Sequence, residues 1–121
     1  MVEETLKTLL RTLCVRTYPI VMPEDTAFPA VEYQRITGNR DKAMDGPPGL
    51  ANPLFQISIY AETYSEAKEL AEDVRQLLDG YSGDDIQAAF IENDYDTHEE
   101  SPGEGLYRAT LDTRIHCTEE T

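Results

Sequence analysis

Phe55-Gln56-Ile57-Ser58-Ile59-Tyr60-Ala61-Glu62-Thr63-Tyr64-Ser65-Glu66-Ala67 changes its hydrophobic period half-way, and that change decides the fold. Phe55, Ile57, Ile59 and Ala61 alternate with Gln56, Ser58 and Tyr60, and with Leu54 before them. Such alternation belongs to a strand, whose successive side chains point to opposite faces. Beyond Ala61 the apolar residues fall at helical spacing instead, through Ala67, Leu70, Ala71, Val74, Leu77 and Leu78. Thr63 and Glu66 form a capping-box pair at the junction, where a hydroxyl can accept one of the free N–H groups of a helix start. Gly80 ends the helix, because it accepts the left-handed conformation that a C-terminal cap needs. The strand is expected to be central in its sheet.

Working towards the N-terminus, Val2, Leu6, Leu9, Leu10 and Leu13 predict an amphipathic helix over 2–13, with Glu3, Glu4, Lys7 and Arg11 on its other side. Its early glutamates and later arginine suit the helix dipole. Pro19 and Pro23 forbid a central strand over Thr17–Pro23 but permit a short extended edge segment. Glu24-Asp25-Thr26 reads as a turn, and alternation over Phe28–Ile36 as a half-wetted strand. Residues 38–53 have no periodicity and read as a long loop, a kind of segment that in compact domains is often functional.

Towards the C-terminus, residues 86–92 and 105–117 read as two strands joined by an acidic connector, Asn93 to Glu104. In the last strand Tyr107, Ala109, Leu111, Thr113, Ile115 and Cys117 point one way, and Arg108, Thr110, Asp112, Arg114 and His116 the other. Runs of adjacent strands between helices predict an α+β domain: an antiparallel or mixed sheet of about four strands, with two helices packed on one face. The outer sheet face is then expected to stay available.

The chain has 121 residues, 40% of them hydrophobic, which suits one domain spanning 1–121. Its 24 acids and 10 bases leave a formal net charge of -14. Seven acids and six bases lie in residues 1–60, against seventeen acids and four bases in 61–121. Acidity of this degree argues against a surface that holds nucleic acid or anionic lipid, both of which recruit Lys and Arg. No apolar run approaches the length of a membrane helix, and Met1-Val2-Glu3-Glu4 lacks a basic leader region, so a soluble protein made in the cytoplasm is expected. Cys14 and Cys117 are too few and too far apart for a disulfide framework or a zinc knuckle, and read as buried free thiols.

Catalytic and metal motifs fail on their own chemistry. The oxygen-rich stretch Glu92 to Glu100 includes His98, yet an EF-hand loop begun at Asp94 would have Glu99 where glycine is needed and Gly105 where glutamate is needed. A zinc-protease helix would need a second histidine where Pro102 stands. Neither Ser58 nor Ser82 sits in a strand-to-helix elbow, and His116 and Cys117, being neighbours on a strand, point apart. No Lys-Ser or Lys-Thr follows the glycines of Asp45-Gly46-Pro47-Pro48-Gly49, so they form no phosphate cradle. Neither an enzyme nor a bound cofactor is expected.

Several separated pieces carry a family resemblance: Thr26-Ala27-Phe28-Pro29, Val31-Glu32-Tyr33-Gln34-Arg35-Ile36, Asp45-Gly46-Pro47-Pro48-Gly49-Leu50, the strand-to-helix junction quoted above, and Gly105-Leu106-Tyr107-Arg108. In order and spacing, from Tyr18 to Ile115, the sequence resembles the tail-completion or tail-terminator proteins of long-tailed bacteriophages and prophages. The resemblance implies a small non-enzymatic virion protein, generally a ring of six, at the head-proximal end of the tail. There it would stop tube polymerisation and offer a docking surface to the head's connector. The implied partners are further copies of itself, the major tail tube protein and a head-completion or connector protein, with genomic DNA only in transit and no membrane. Assembly would take place in the host cytoplasm.

A ring subunit needs separate patches for its two neighbours and for the structures above and below it. Arg108, Asp112, Arg114 and His116, a row of mixed charge, are candidates for the subunit or tube interface, as are Arg40, Lys42 and Met44 of the long loop. Asp84, Asp85, Glu92, Asp94, Asp96, Glu99 and Glu100 are expected to face the lumen or an open end, where carboxylates let phosphates slide past without sticking. The competing reading is an acidic protein-binding module, or an inhibitor that mimics nucleic acid, outside any virion.

Overall fold

A computed structural model of the chain describes residues 2–37, 50–99 and 105–118. Its elements are α1 (Val2–Arg11), β1 (Thr17–Pro19), β2 (Ala30–Thr37), β3 (Leu50–Ala51), β4 (Leu54–Ala61), α2 (Tyr64–Leu78), β5 (Ile86–Glu99) and β6 (Leu106–Thr118). The expected α+β class is what forms: a mixed sheet in which β1 runs parallel to β2 and every other pairing is antiparallel. Across the sheet the order is β1, β2, β4, β6, with β5 on the far side of β6. The two-residue β3 pairs with Cys117 and Thr118 beyond the stretch of β6 that β4 occupies, and Ile115 N donates to Pro53 O at 3.0 Å between them. β3 and β4 thus act as one interrupted strand. With the edge segment β1, this accounts for a sheet of six strands where about four were expected.

β4 lies between β2 and β6, and its register sets Ile57 between Tyr33 and Leu111. Directly opposed residues share a face. The inner face therefore carries Val31, Tyr33, Phe55, Ile57, Ile59, Ala61, Ala109, Leu111 and Ile115, all buried in one cluster with Val2, Leu6 and Leu10 of α1 and Ala67, Ala71, Val74 and Leu78 of α2. Both helices cover this one face. Thr63 caps α2 as its sequence predicts, its side chain accepting from Glu66 N at 3.2 Å, and Gly80 follows the helix at a φ of 84°. Cys14 and Cys117 are buried and form no disulfide with each other.

Two boundaries differ from the sequence reading. α1 stops at Arg11, where Thr12 and Leu13 turn back on Leu9 and Leu10, so Leu13 remains 37% exposed. More consequentially, Asn93–Glu99 is strand and not connector, because β6 is long enough to pair with all of it. Backbone pairing along an existing template outweighs the low strand propensity of Asn and Asp. The register shifts twice along this hairpin, between Ile86 and Ala88 and between Ile91 and Asn93. Glu92 is the unpaired residue of the second bulge. A bulge inserts one residue and exchanges the faces of everything beyond it. Asp94 and Asp96 consequently share the helix-covered face with Leu111 and Ala109, and Tyr95 and Thr97 share the outer face with Thr110 and Arg108.

Candidate functional site

The outer sheet face holds a connected polar row. Arg108 reaches across to β4, donating through Nε and Nη2 to Ser58 Oγ at 3.1 and 2.9 Å and through Nη2 to Gln56 Oε1 at 3.3 Å. Its guanidinium also lies 5.5 Å from the centre of the Tyr60 ring, as in a cation–π contact. Gln56 Nε2 in turn donates to Tyr95 Oη at 2.9 Å, so that a bond joins β4 to β5 across β6. Beside this bridge Ser58 and Thr110 are 2% and 0% exposed, and Thr110 Oγ1 and Asp112 Oδ1 are buried without a hydrogen-bond partner. The middle of the face expected to stay available is therefore closed over.

Arg114 holds Glu92 through Nε and Nη2, at 3.2 and 3.3 Å, and donates from Nη1 to Asn52 O at 2.9 Å. His116 meets Phe90 edge to face, with ring centres 6.1 Å apart. The four β6 residues picked from the sequence thus share one face, and the two arginines are already engaged within the subunit. Arg40, Lys42, Met44 and Glu100 lie outside the described residues, and Glu99 is the last residue of β5.

The acidic candidates do not act as a single group. Asp85 accepts from Thr5 Oγ1 at 2.7 Å, and Asp84 is exposed at a φ of 52°. Asp96 receives Lys68 Nζ at 3.2 Å and Tyr64 Oη at 2.8 Å, both from α2. Two helical turns beyond Lys68, Arg75 pairs with Asp94. These contacts clip the far end of the hairpin to the helix. The hydrogen bond to Asp96 raises the Lys68 pKa above its ordinary 10.5, and the same carboxylate, helped by burial, raises that of Tyr64 above 10.0. Sequence reasoning passed over Tyr64, Lys68 and Arg75. The available signal was that Lys68 and Arg75, the only cations of α2, stand two turns apart on one side of it.

Among the described residues no group of three or more His, Cys, Asp and Glu is placed to hold a metal ion, and no helix is long and apolar enough to cross a membrane. The described residues present a preset polar row on the sheet and an acidic hairpin clipped to α2. The sequence model of the family described as tail completion protein gp17 matches residues 3–118. The chain belongs to that family. It is a structural protein of a phage-type tail. Its fold is similar to that of a chain in the virion of a native gene transfer agent particle, with a TM-score of 0.63 and 20% sequence identity over 90% of this chain and 84% of that one. Comparison with curated protein sequences gives no significant match.

Proposed function

We propose that this tail completion protein caps the head-proximal end of the tail tube as a ring, ends tube polymerisation and forms part of the joint between tail and head. Membership of the family over almost the whole chain carries the reading. The geometry agrees with it, because both helices lie on one face of the sheet and leave the half-buried outer row and the sheet edges for contacts with other chains. In the ring, Arg108, Asp112, Arg114 and His116 serve a subunit or tube contact together with Arg40, Lys42 and Met44. The acidic C-terminal half faces the lumen or an open end, so that passing DNA meets carboxylates and is not retained. Self-pairing of Asp94 and Asp96 with α2 weighs against the alternative of a nucleic-acid mimic, which would present its carboxylates free.

The deciding experiment adds the purified chain to polymerising tail tube protein and measures tube lengths by electron microscopy. Capping predicts that growth stops and that the chain is found at one tube end. Unchanged length distributions, with the chain absent from tube ends, would sink the proposal.

A further inference from the structure

An open groove of about 340 Å³ lies between the C-terminal end of α1 and the N-terminal half of α2. Leu13, Val15, Pro29 and Leu70 line it, with Val15 68% exposed, and one cation, Arg16, lies in it with its Nε donating to Pro29 O at 2.9 Å. Glu66, Glu69 and Asp73, all exposed, stand along its α2 wall and form no ion pair among the described residues. Lys68 and Arg75 do not neutralise them, being directed to the other side of the helix by Asp96 and Asp94.

At the β1 edge of the same sheet stands a feature of opposite character. Ile20 and Val21 are 60% and 73% exposed and, with Val15, are the most exposed large apolar side chains among the described residues. Ile20 adopts a φ of 63°, a conformation rare for a β-branched residue, and Ile20 N is held by Tyr33 O at 2.9 Å. The pair forms a fixed apolar knob. Glu3, Lys7 and Arg11 follow one another at four-residue spacing on α1, and Glu3 pairs with Arg35 of β2 at 2.8 Å, which aims this row, with its two bases, towards the same β1–β2 side. Lys7 and Arg11 form no ion pair among the described residues. In a chain of net charge -14, residues 5–23 hold no acid, and of their three bases Lys7 and Arg11 stand on α1 while Arg16 lies in the groove.

We infer that the groove receives the Ile20–Val21 knob of a second copy of this chain, with Lys7 and Arg11 of that copy lying against Glu66, Glu69 and Asp73. Apolar knob and apolar groove remove each other from water, while the charges around them set the direction of docking. Knob and groove are different patches of one molecule, so a copy that gives its knob to one neighbour and its groove to another extends a series, which closes into a ring or continues as a filament. Two copies that exchanged both contacts would stop at a dimer, so the ring requires species larger than two in sedimentation. The inference rests on the ring reading and names the surfaces that build the ring.

The test uses the full chain in a Cys14→Ala background, which removes the thiol in the groove. Val21→Cys and Val15→Cys proteins are mixed and treated with a short bifunctional thiol reagent. Cross-linked pairs should appear in the mixture and not with either protein alone. Val21→Asp, an exposed substitution that spares folding, and Lys7→Glu with Arg11→Glu should each weaken self-association by about tenfold in sedimentation. Dimers cross-linked within one population would show an isologous contact and overturn the inference. Assembly without cross-links in the mixture, and unaffected by the substitutions, would overturn it while leaving the ring intact. A protein monomeric at millimolar concentration would also overturn it, and tube capping would then stand or fall on tube length alone.

Discussion

Glu92 and Arg114 meet fork to fork on the outer sheet face, Nε to Oε2 at 3.2 Å and Nη2 to Oε1 at 3.3 Å. Glu92 is the extra residue of the β5 bulge, and the pair anchors it on the outer side while Asp94 and Asp96 pass to the inner side, where α2 holds them. The bulge therefore decides which face of the hairpin carries its charge.

Inserting one alanine between Glu92 and Asn93, so that it takes the place opposite Asp112, should shift Asn93–Glu99 by one residue and direct Asp94 and Asp96 away from Arg75 and Lys68. A loss of about 2 to 4 kcal/mol in denaturant unfolding is expected, because several contacts are lost with the register. Glu92→Gln keeps the bulge and weakens one partly exposed pair, at about 1 kcal/mol or less. Equal stabilities for the two variants would show that the bulge does not govern the faces.

Ile57 is fully buried on the central strand. Ile57→Asp introduces a carboxylate with no partner there, and should cost about 4 kcal/mol or more, enough to abolish cooperative unfolding in a domain of this size. A soluble Ile57→Asp protein with a sharp calorimetric transition would contradict the assignment of β4 to the core.

The clip between α2 and β5 has a definite pH signature. A group whose pKa is higher in the folded than in the unfolded protein stabilises the fold below the unfolded value, and that contribution disappears as pH rises through the folded value. Lys68 and Tyr64 are both raised, from 10.5 and 10.0. The contribution should be constant through neutral pH and fade above about pH 10. Lys68→Met should lessen the alkaline fall in Tm relative to the parent protein. An identical fall in both proteins would remove Lys68 from the account.

Gly80 follows α2 with a φ of 84°, and a Cβ added there meets no atom within 4 Å. Gly80→Ala should therefore lose about 1 kcal/mol through backbone strain alone, without a packing defect. Thermal unfolding measures it, and an unchanged or higher Tm would show that the turn into β5 relaxes at no expense.

Replacing the hairpin carboxylates with lysine separates lumen from clip. Asp94→Lys and Asp96→Lys set cation against cation at Arg75 and Lys68 and should lower Tm before any effect on DNA is seen. Asp84→Lys, on an exposed residue with no such partner, should leave Tm within about 0.5 kcal/mol in stability terms and, if the carboxylates line the channel, slow DNA release from assembled particles. Release unchanged by Asp84→Lys together with lysines at Glu99 and Glu100 would place these acids away from the channel.

The sequence by itself determined the units that need only near neighbours. Alternation from Leu54 to Ala61, the Thr63 cap, the 3.6-residue spacing of α2 and the Gly80 stop are all written within a few residues of where they act. The α+β class and the sharing of one face by Arg108, Asp112, Arg114 and His116 follow from the same local periods. Where a residue's surroundings depend on pairing with a distant strand, local periods are silent. The strand character of Asn93–Glu99 comes from the length of β6 and not from its own composition. A single unpaired residue at Glu92 then inverts the alternation that a sequence reader would apply, which is why Asp94 and Asp96 meet Arg75 and Lys68 only in the folded chain. The Ile20–Val21 knob is of the same kind: its residues read only as part of a short extended edge segment, and the hydrogen bond from Ile20 N to Tyr33 O, which links segments remote in sequence, holds them out in solvent.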